Sequence, residues 1–147
     1  MIRNLVLTDS VVIQKLNHEE LGYDYPINKT NTNIKKLLSD PKHHFILVFE
    51  DENTHQVVGY VHAQLYEETY SDTLFNILAL AVNNSFQHKG IGKKLMLAIE
   101  EKAKELNITA IRLNSGEERT AAYRFYEKIG YTCNKKQKRF SKQLIIP

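Results

Sequence analysis

From Leu74 to Val82 the chain is apolar at almost every position, and past a polar loop Ile91, Leu95, Ala98, Ile99, Ala103 and Leu106 recur at helical spacing. An apolar run without alternation belongs to a strand buried on both faces, so it predicts a place in mid-sheet. The residues between the apolar positions of the following segment are mostly Lys and Glu, as on the solvated side of an amphipathic helix. A buried strand leading into a long helix sets the chain among mixed α and β folds.

The flanking segments fit that class. Ile2 to Leu7 reads as a short strand, and Asp9 or Ser10 caps a helix running to about Asn17. Leu21 to Asn33 holds Gly22, Pro26 and several Asn and Thr residues and reads as a loop; Ile34 to Leu38 reads as a brief helix stopped before Pro41. His43 to Glu50 and Gln56 to Glu67, rich in Phe, Ile, Val and Tyr, form a hairpin across Asp51 to Thr54, its second arm long. Ile108 to Leu113 is a further strand, Arg119 to Ile129 an amphipathic helix ended by Gly130, and Tyr131 to Ile146 a last strand or hairpin.

A length of 147 residues suits one domain spanning 1–147. The longest apolar runs fall short of a membrane span. Met1 to Leu7 lacks the regions of a signal peptide and the single Cys133 can form no internal disulfide, which together favour a reducing cytoplasm. The net charge of +3 is mild but uneven, with Lys89, Lys93 and Lys94 in one group and Lys135, Lys136, Lys138, Arg139 and Lys142 in another. Acidic residues are interspersed and no nucleic-acid-binding pattern is present, so the groups read as a solvated surface or as contacts to a small polyanion. His43 and His44 are adjacent and point to opposite faces of a strand, and no His/Cys spacing of zinc type occurs, so no metal is expected.

The strongest local chemistry is Gln87-His88-Lys89-Gly90-Ile91-Gly92-Lys93, between the buried strand and the long helix. A helix start presents unpaired N–H groups and a partial positive charge, and Gly90 and Gly92 let a phosphate approach the backbone. An ordinary glycine-containing turn is the plain alternative. The P-loop pattern fails because no Gly-Lys-Ser or Gly-Lys-Thr follows, and the dinucleotide pattern fails because the third glycine is missing.

Gln87-x-x-Gly90-x-Gly92 after Leu80-Ala81-Val82, with Tyr126-Glu127-Lys128-Ile129-Gly130-Tyr131 downstream, resembles the GNAT superfamily of N-acetyltransferases over nearly the whole chain. The segment from Ser115-Gly116 through Arg119 to Lys138-Arg139-Phe140 is most similar to the aminoalkylphosphonate and small-amine subgroup. The resemblance implies an α+β, three-layer fold. Its sheet would be mixed but mostly antiparallel, of about six or seven strands with a splayed central pair, flanked by about four helices. It implies acetyl-CoA as cosubstrate, with Leu80, Ala81 and Val82 beside the pantetheine arm. Gln87, His88, Lys89, Gly90, Ile91, Gly92, Lys93 and Arg119 would contact the cofactor, and Tyr126 would protonate the departing thiolate. The implied reaction is direct transfer to a primary amine of a small molecule or peptide; the alternative is a CoA-binding or protein-interaction module that keeps the fold. Tyr23, Tyr25 and Asn76 are candidates for the acceptor side. The last strands of such folds often pair between subunits, which makes a homodimer one of the states the resemblance allows.

Three departures stand out, one of them Arg119, which stands where relatives often carry an Asn seven residues before the tyrosine. His88 replaces a glycine common in relatives, which reduces backbone freedom there. The strand glutamate of some relatives falls on Asn76 or Ala79, neither of which accepts a proton, leaving Glu67, Glu68, His62 or bulk solvent as the base.

Overall fold

The computed structural model describes residues 1–147, which divide into two compact units, Met1–Asn114 and Ser115–Pro147. In the first, β1 (Ile2–Asn4), α1 (Ser10–Leu21), α2 (Ile27–Leu38), β2 (His44–Glu50), β3 (Val57–Glu68), β4 (Ser71–Val82), α3 (Ile91–Glu105) and β5 (Ile111–Leu113) follow in order. The five strands form one sheet in sequence order, antiparallel from β1 to β4 and parallel between β4 and β5. Parallel pairing of successive strands needs a crossover, and α3 is that crossover. No helix is long and apolar enough to cross a membrane.

Alternation along the strands sorts the core into two layers. On one face Leu5, Ile13 and Leu16 of the N-terminal segment and α1, and Ile34 of α2, pack on Val48, Tyr60 and Ala81 of the sheet. On the other lies α3. Its Lys102 sits over the Phe45 ring, which stacks on the fully buried Phe75 at 4.9 Å, and its Leu95 packs at Gly59. Phe45 and Val48 stand three apart on β2, so these helices cover opposite faces.

The loop expected from Leu21 to Asn33 is a correction. Only residues 22–26 are non-helical, and α2 starts at Ile27 after Pro26 at its N-cap. Proline's fixed φ suits a helix entry, and burial of Thr30 and Ile34 on one face outweighs the weak helix propensity of Asn and Thr. The expected strand or hairpin from Tyr131 to Ile146 is absent, so the sheet has five strands rather than six or seven. That segment carries Lys135, Lys136, Lys138, Arg139 and Lys142, all exposed, and leaves Phe140, Leu144, Ile145 and Ile146 exposed. Strand propensity makes no ladder without a neighbouring strand to pair with.

Arg3 pins β1 to the sheet and to the start of α1, donating to Asp9 Oδ2 at 2.9 Å and Oδ1 at 3.0 Å and to Glu50 Oε1 at 3.2 Å. Burial opposes ionisation of Asp9, but the guanidinium and the Val6 amide hold its carboxyl below the usual value.

The tightest backbone approach is at Gly59, where a Cβ would come within 3.0 Å of the Ala81 carbonyl oxygen and 3.4 Å of Leu95 Cδ1. Gly59→Val should therefore destabilise the fold by about 1–3 kcal/mol, as overpacking against backbone does. An unchanged urea midpoint for that variant would show that β3 and β4 can separate without cost.

Candidate functional site

The turn between β4 and α3 is clamped at its strand end and open at its helix end. Asn83 N–H donates to the Val58 carbonyl at 2.7 Å, and the Asn83 side chain accepts from Ser85 N–H at 2.9 Å. Glu20 reaches over from α1 to accept from Asn84 N–H at 2.9 Å and from Gln87 Nε2 at 3.5 Å, while the same Nε2 donates to the Val82 carbonyl at 3.1 Å. Gln87 thus fastens the turn to the end of β4. Residues 87–90 are exposed, and Gly90, the N-cap of α3, has φ 79°. His88 has φ 64°, so it takes the left-handed conformation open to the glycine it replaces.

No side chain caps α3, and the amides of Ile91, Gly92 and Lys93 have no acceptor in the protein. Unpaired amides at the positive end of a helix dipole fit a phosphate or diphosphate group. Lys93 is exposed beside them, whereas Lys89 rests its ammonium 5.0 Å from the centre of the Phe86 ring.

β4 has an open edge. It pairs with β3 as far as Val82 but with β5 only at Phe75, Asn76 and Ile77. Opposite His62 and Ala63 lie Ala79 and Ile77, so Leu78 is the extra residue of a bulge and is 49% exposed. The bulge resets the alternation: Ile77 is buried before it, and Ala79 and Ala81 after it join the cluster under α1 and α2. From Leu78 to Val82 no strand of the protein occupies the edge facing away from β3. An extended ligand arm can pair there as an added strand.

In the second unit α4 (Thr120–Lys128) carries Tyr126, half-buried, with ring contacts to Phe125 at 5.1 Å and to Tyr131 at 6.1 Å. Tyr131 N–H donates to the Tyr126 carbonyl at 2.9 Å, and Gly130 supplies the positive φ, 102°, that closes the helix. Burial pushes the Tyr126 phenol up and the Arg119 cation opposes it. Arg119 is the N-cap of α4 and is exposed.

Under α1 and α2 lies a cavity of about 160 Å³ lined by Asn17, Tyr25, Asn33, Tyr60 and His62, and otherwise mostly by aliphatic side chains. Tyr60 Oη donates to Asn17 Oδ1. Of the acceptor-side candidates, Tyr25 lines this cavity. Tyr23 is 61% exposed and outside it. Asn76 is buried and accepts from Arg112 Nε at 3.1 Å, with the guanidinium over the Tyr66 ring at 4.4 Å, so its amide oxygen already has a partner within the sheet. Among the base candidates, Glu67 is exposed, and Glu68 accepts from Tyr70 Oη at 2.7 Å, which with Ser71 keeps its carboxyl low. His62 is the one that faces the cavity. Its Nε2 lies 3.0 Å from His44 Nδ1, and burial, with His44 beside it, lowers its pKa to about 4.

Glu20, Asn17 and Tyr60 were not singled out by the sequence, and His44 was weighed there only as a metal ligand. The alternation that puts Tyr60 on the same face of β3 as His62 is the signal that could have found Tyr60.

A folded-state value near 4 against 6.5 unfolded means that folding favours neutral His62. This contribution to stability is complete above pH 6.5 and is lost as the pH falls toward 4. Urea titrations across that interval should show a falling midpoint that flattens in His62→Gln; equal slopes in both proteins would refute the assignment.

An Acetyltransferase (GNAT) family model matches residues 11–131. The chain is 35% identical to the N-acetylaspartate synthetases of Rattus norvegicus and Homo sapiens over 75 residues, which is 51% of this chain and 24% of those proteins. It thus spans about a quarter of the curated relatives it matches. A GNAT family acetyltransferase of Staphylococcus aureus superposes with a TM-score of 0.75 at 27% identity, covering 98% of each chain. AAC(6')-Iy in complex with the bisubstrate analogue CoA-S-monomethyl-acetylneamine superposes with a TM-score of 0.84 at 15% identity, again over 98% of each chain.

Proposed function

The chain belongs to the GNAT acetyltransferase family, and from that premise we propose that it transfers the acetyl group of acetyl-CoA directly to a primary amine. The observation that carries this reading is the pairing of an open strand edge, Leu78 to Val82, with unpaired amides at Ile91, Gly92 and Lys93 at the end of the same strand. These features match the two ends of a CoA arm, an extended amide chain and a diphosphate. The complex of AAC(6')-Iy with a CoA-containing analogue supports the choice.

In this reading the two units act as one N-acetyltransferase domain. The backbone of Leu80, Ala81 and Val82 aligns the pantetheine, the turn from Gln87 to Lys93 holds the diphosphate, and Arg119 adds a cation. Acetyl-CoA supplies an activated acyl group. The Tyr126 phenol, kept protonated by burial, gives its proton to the departing sulfur and so prevents the thiolate from expelling the new amide nitrogen.

The test is thiol release from acetyl-CoA over a panel of amines, together with calorimetric binding of CoA; tight binding with no turnover on any amine would reduce the protein to a CoA-binding module. Tyr126→Phe should lower kcat by roughly 100- to 10,000-fold with acetyl-CoA affinity unchanged. Full activity of that variant from pH 6 to 9 would remove the phenol from the mechanism. Gly92→Glu puts a carboxylate among the open amides, where it suits the helix dipole but repels a diphosphate, so CoA affinity should fall at least about tenfold while the fold is kept. Undiminished binding by Gly92→Glu would place the diphosphate elsewhere.

A further inference from the structure

The cavity under α1 and α2 has a property that a general amine site does not require. Its polar groups, Asn17, Tyr25, Thr30, Asn33, Tyr60 and His62, include no carboxylate and no Lys or Arg. A polycation placed there would lose its hydration without a counter-charge. The volume of about 160 Å³ holds roughly five waters, enough for a compact substituent. The cavity also touches a path for protons. His62 is bonded to His44 at 3.0 Å, and His44, on the neighbouring strand, is only partly covered. His62 Nδ1 has no protein partner.

Resting on the acetyltransferase reading, we propose that this cavity receives the uncharged side group of a compact monoamine, and that His62 and His44 form the outlet through which the attacking nitrogen sheds its proton to solvent. The β4 residues that meet the cluster around the cavity are Ala79 and Ala81, paired across the strands with His62 and Tyr60. Their methyl groups leave His62 close to the stretch of β4 proposed to align the thioester. The neutral amine attacks the thioester carbonyl, forming the C–N bond and a nitrogen that carries an excess proton. His62 Nδ1 takes that proton while its Nε2–H passes to His44 Nδ1, and His44 releases Nε2–H to water. The C–S bond then breaks, Tyr126 protonates the sulfur, and the phenolate recovers a proton from solvent. The products are the N-acetyl amine and CoA thiol, with no net change in protons from neutral amine and acetyl-CoA.

His44 comes from β2, Tyr60 from β3 and Tyr25 from the segment joining the two helices, while α1 and α2 line the cavity with Asn17, Thr30 and Asn33, none titratable. On the solvent side stands Asp40, bonded to His43 Nδ1 at 2.8 Å and within electrostatic reach of His44. Burial keeps His62 neutral throughout the neutral range and disfavours its charged form, so the proton it takes at Nδ1 must leave from Nε2 to His44 in the same step.

The experiment measures thiol release with benzylamine and tyramine as monoamines and spermidine and kanamycin as polycations, from pH 6 to 9, for the full chain and for His62→Gln, His44→Gln and Asn33→Trp. In His62→Gln, kcat with a monoamine should drop about 100-fold, acetyl-CoA affinity should stay within about twofold, and added imidazole should restore part of the rate. His44→Gln should show a smaller loss that imidazole also relieves. Asn33→Trp narrows the cavity from an exposed position on α2, so it should raise KM for the monoamine and leave kcat at saturation and acetyl-CoA affinity unchanged; it tests the seat even if the histidine variants fold poorly. A wild-type rate in His62→Gln at every pH, or an unmoved KM in Asn33→Trp, overturns the proposal and leaves the acetyltransferase reading standing. A preference for spermidine or kanamycin over both monoamines overturns the acceptor class. Thiol release with none of the four amines, under intact acetyl-CoA binding, overturns the acetyltransferase reading and this inference with it.

Discussion

The partnership of β4 organises the molecule. β4 is held along its length by β3, yet β5 pairs with it at only three residues, and the Leu78 bulge falls just beyond them. A strand with one satisfied edge and one open edge must either meet water or meet a ligand along the open one. The bulge also changes which side chains reach each layer, from Phe75 and Ile77 before it to Ala79 and Ala81 after it. Small residues there leave room beside the backbone, and the core fills instead from Tyr60, Val48 and the helices.

The polar contacts extend that arrangement outward. Glu20 on α1 ties the β4–α3 turn to the helical layer on one face, while Leu95 of α3 packs at Gly59 on the other. With its strand end fixed by Gln87, the turn holds the amides of Ile91, Gly92 and Lys93 at a defined place and leaves them unpaired. A site made of main-chain groups needs such anchoring, because its geometry is only as good as the backbone that carries it. His88 in the left-handed region shows the same priority, for the turn keeps its shape without the glycine that would adopt it most easily.

Much of the fold was legible where local pattern and tertiary demand agree. The apolar run became β4, the stripe from Ile91 became α3, and the aromatic and β-branched hairpin became β2 and β3. Legibility failed where a local preference had to be weighed against distant burial. Asn28, Thr30, Asn31, Thr32 and Asn33 suggest a loop, yet Thr30 and Ile34 bury one side of α2 against the sheet. From Tyr131 to Ile146 the opposite occurred, since strand-like residues found no strand to pair with. The turn at Gln87 to Lys93 was readable because its chemistry lies in consecutive residues. The cavity was not, because its polar residues come from α1, α2, β3 and the segment before α2, and only packing brings them together.

By itself the sequence determined the class of the fold, the position of the long helix after the buried strand, and the glycines that open the helix start, since these depend on period and on backbone freedom within a few residues. Only the tertiary structure decided that β5 stops after Leu113, that Gln87 and Glu20 clamp the turn, and that His62 meets His44 under the two N-terminal helices. Strand partners and burial are relations between segments far apart in the chain, and their energies depend on which surfaces meet, which no local spacing encodes.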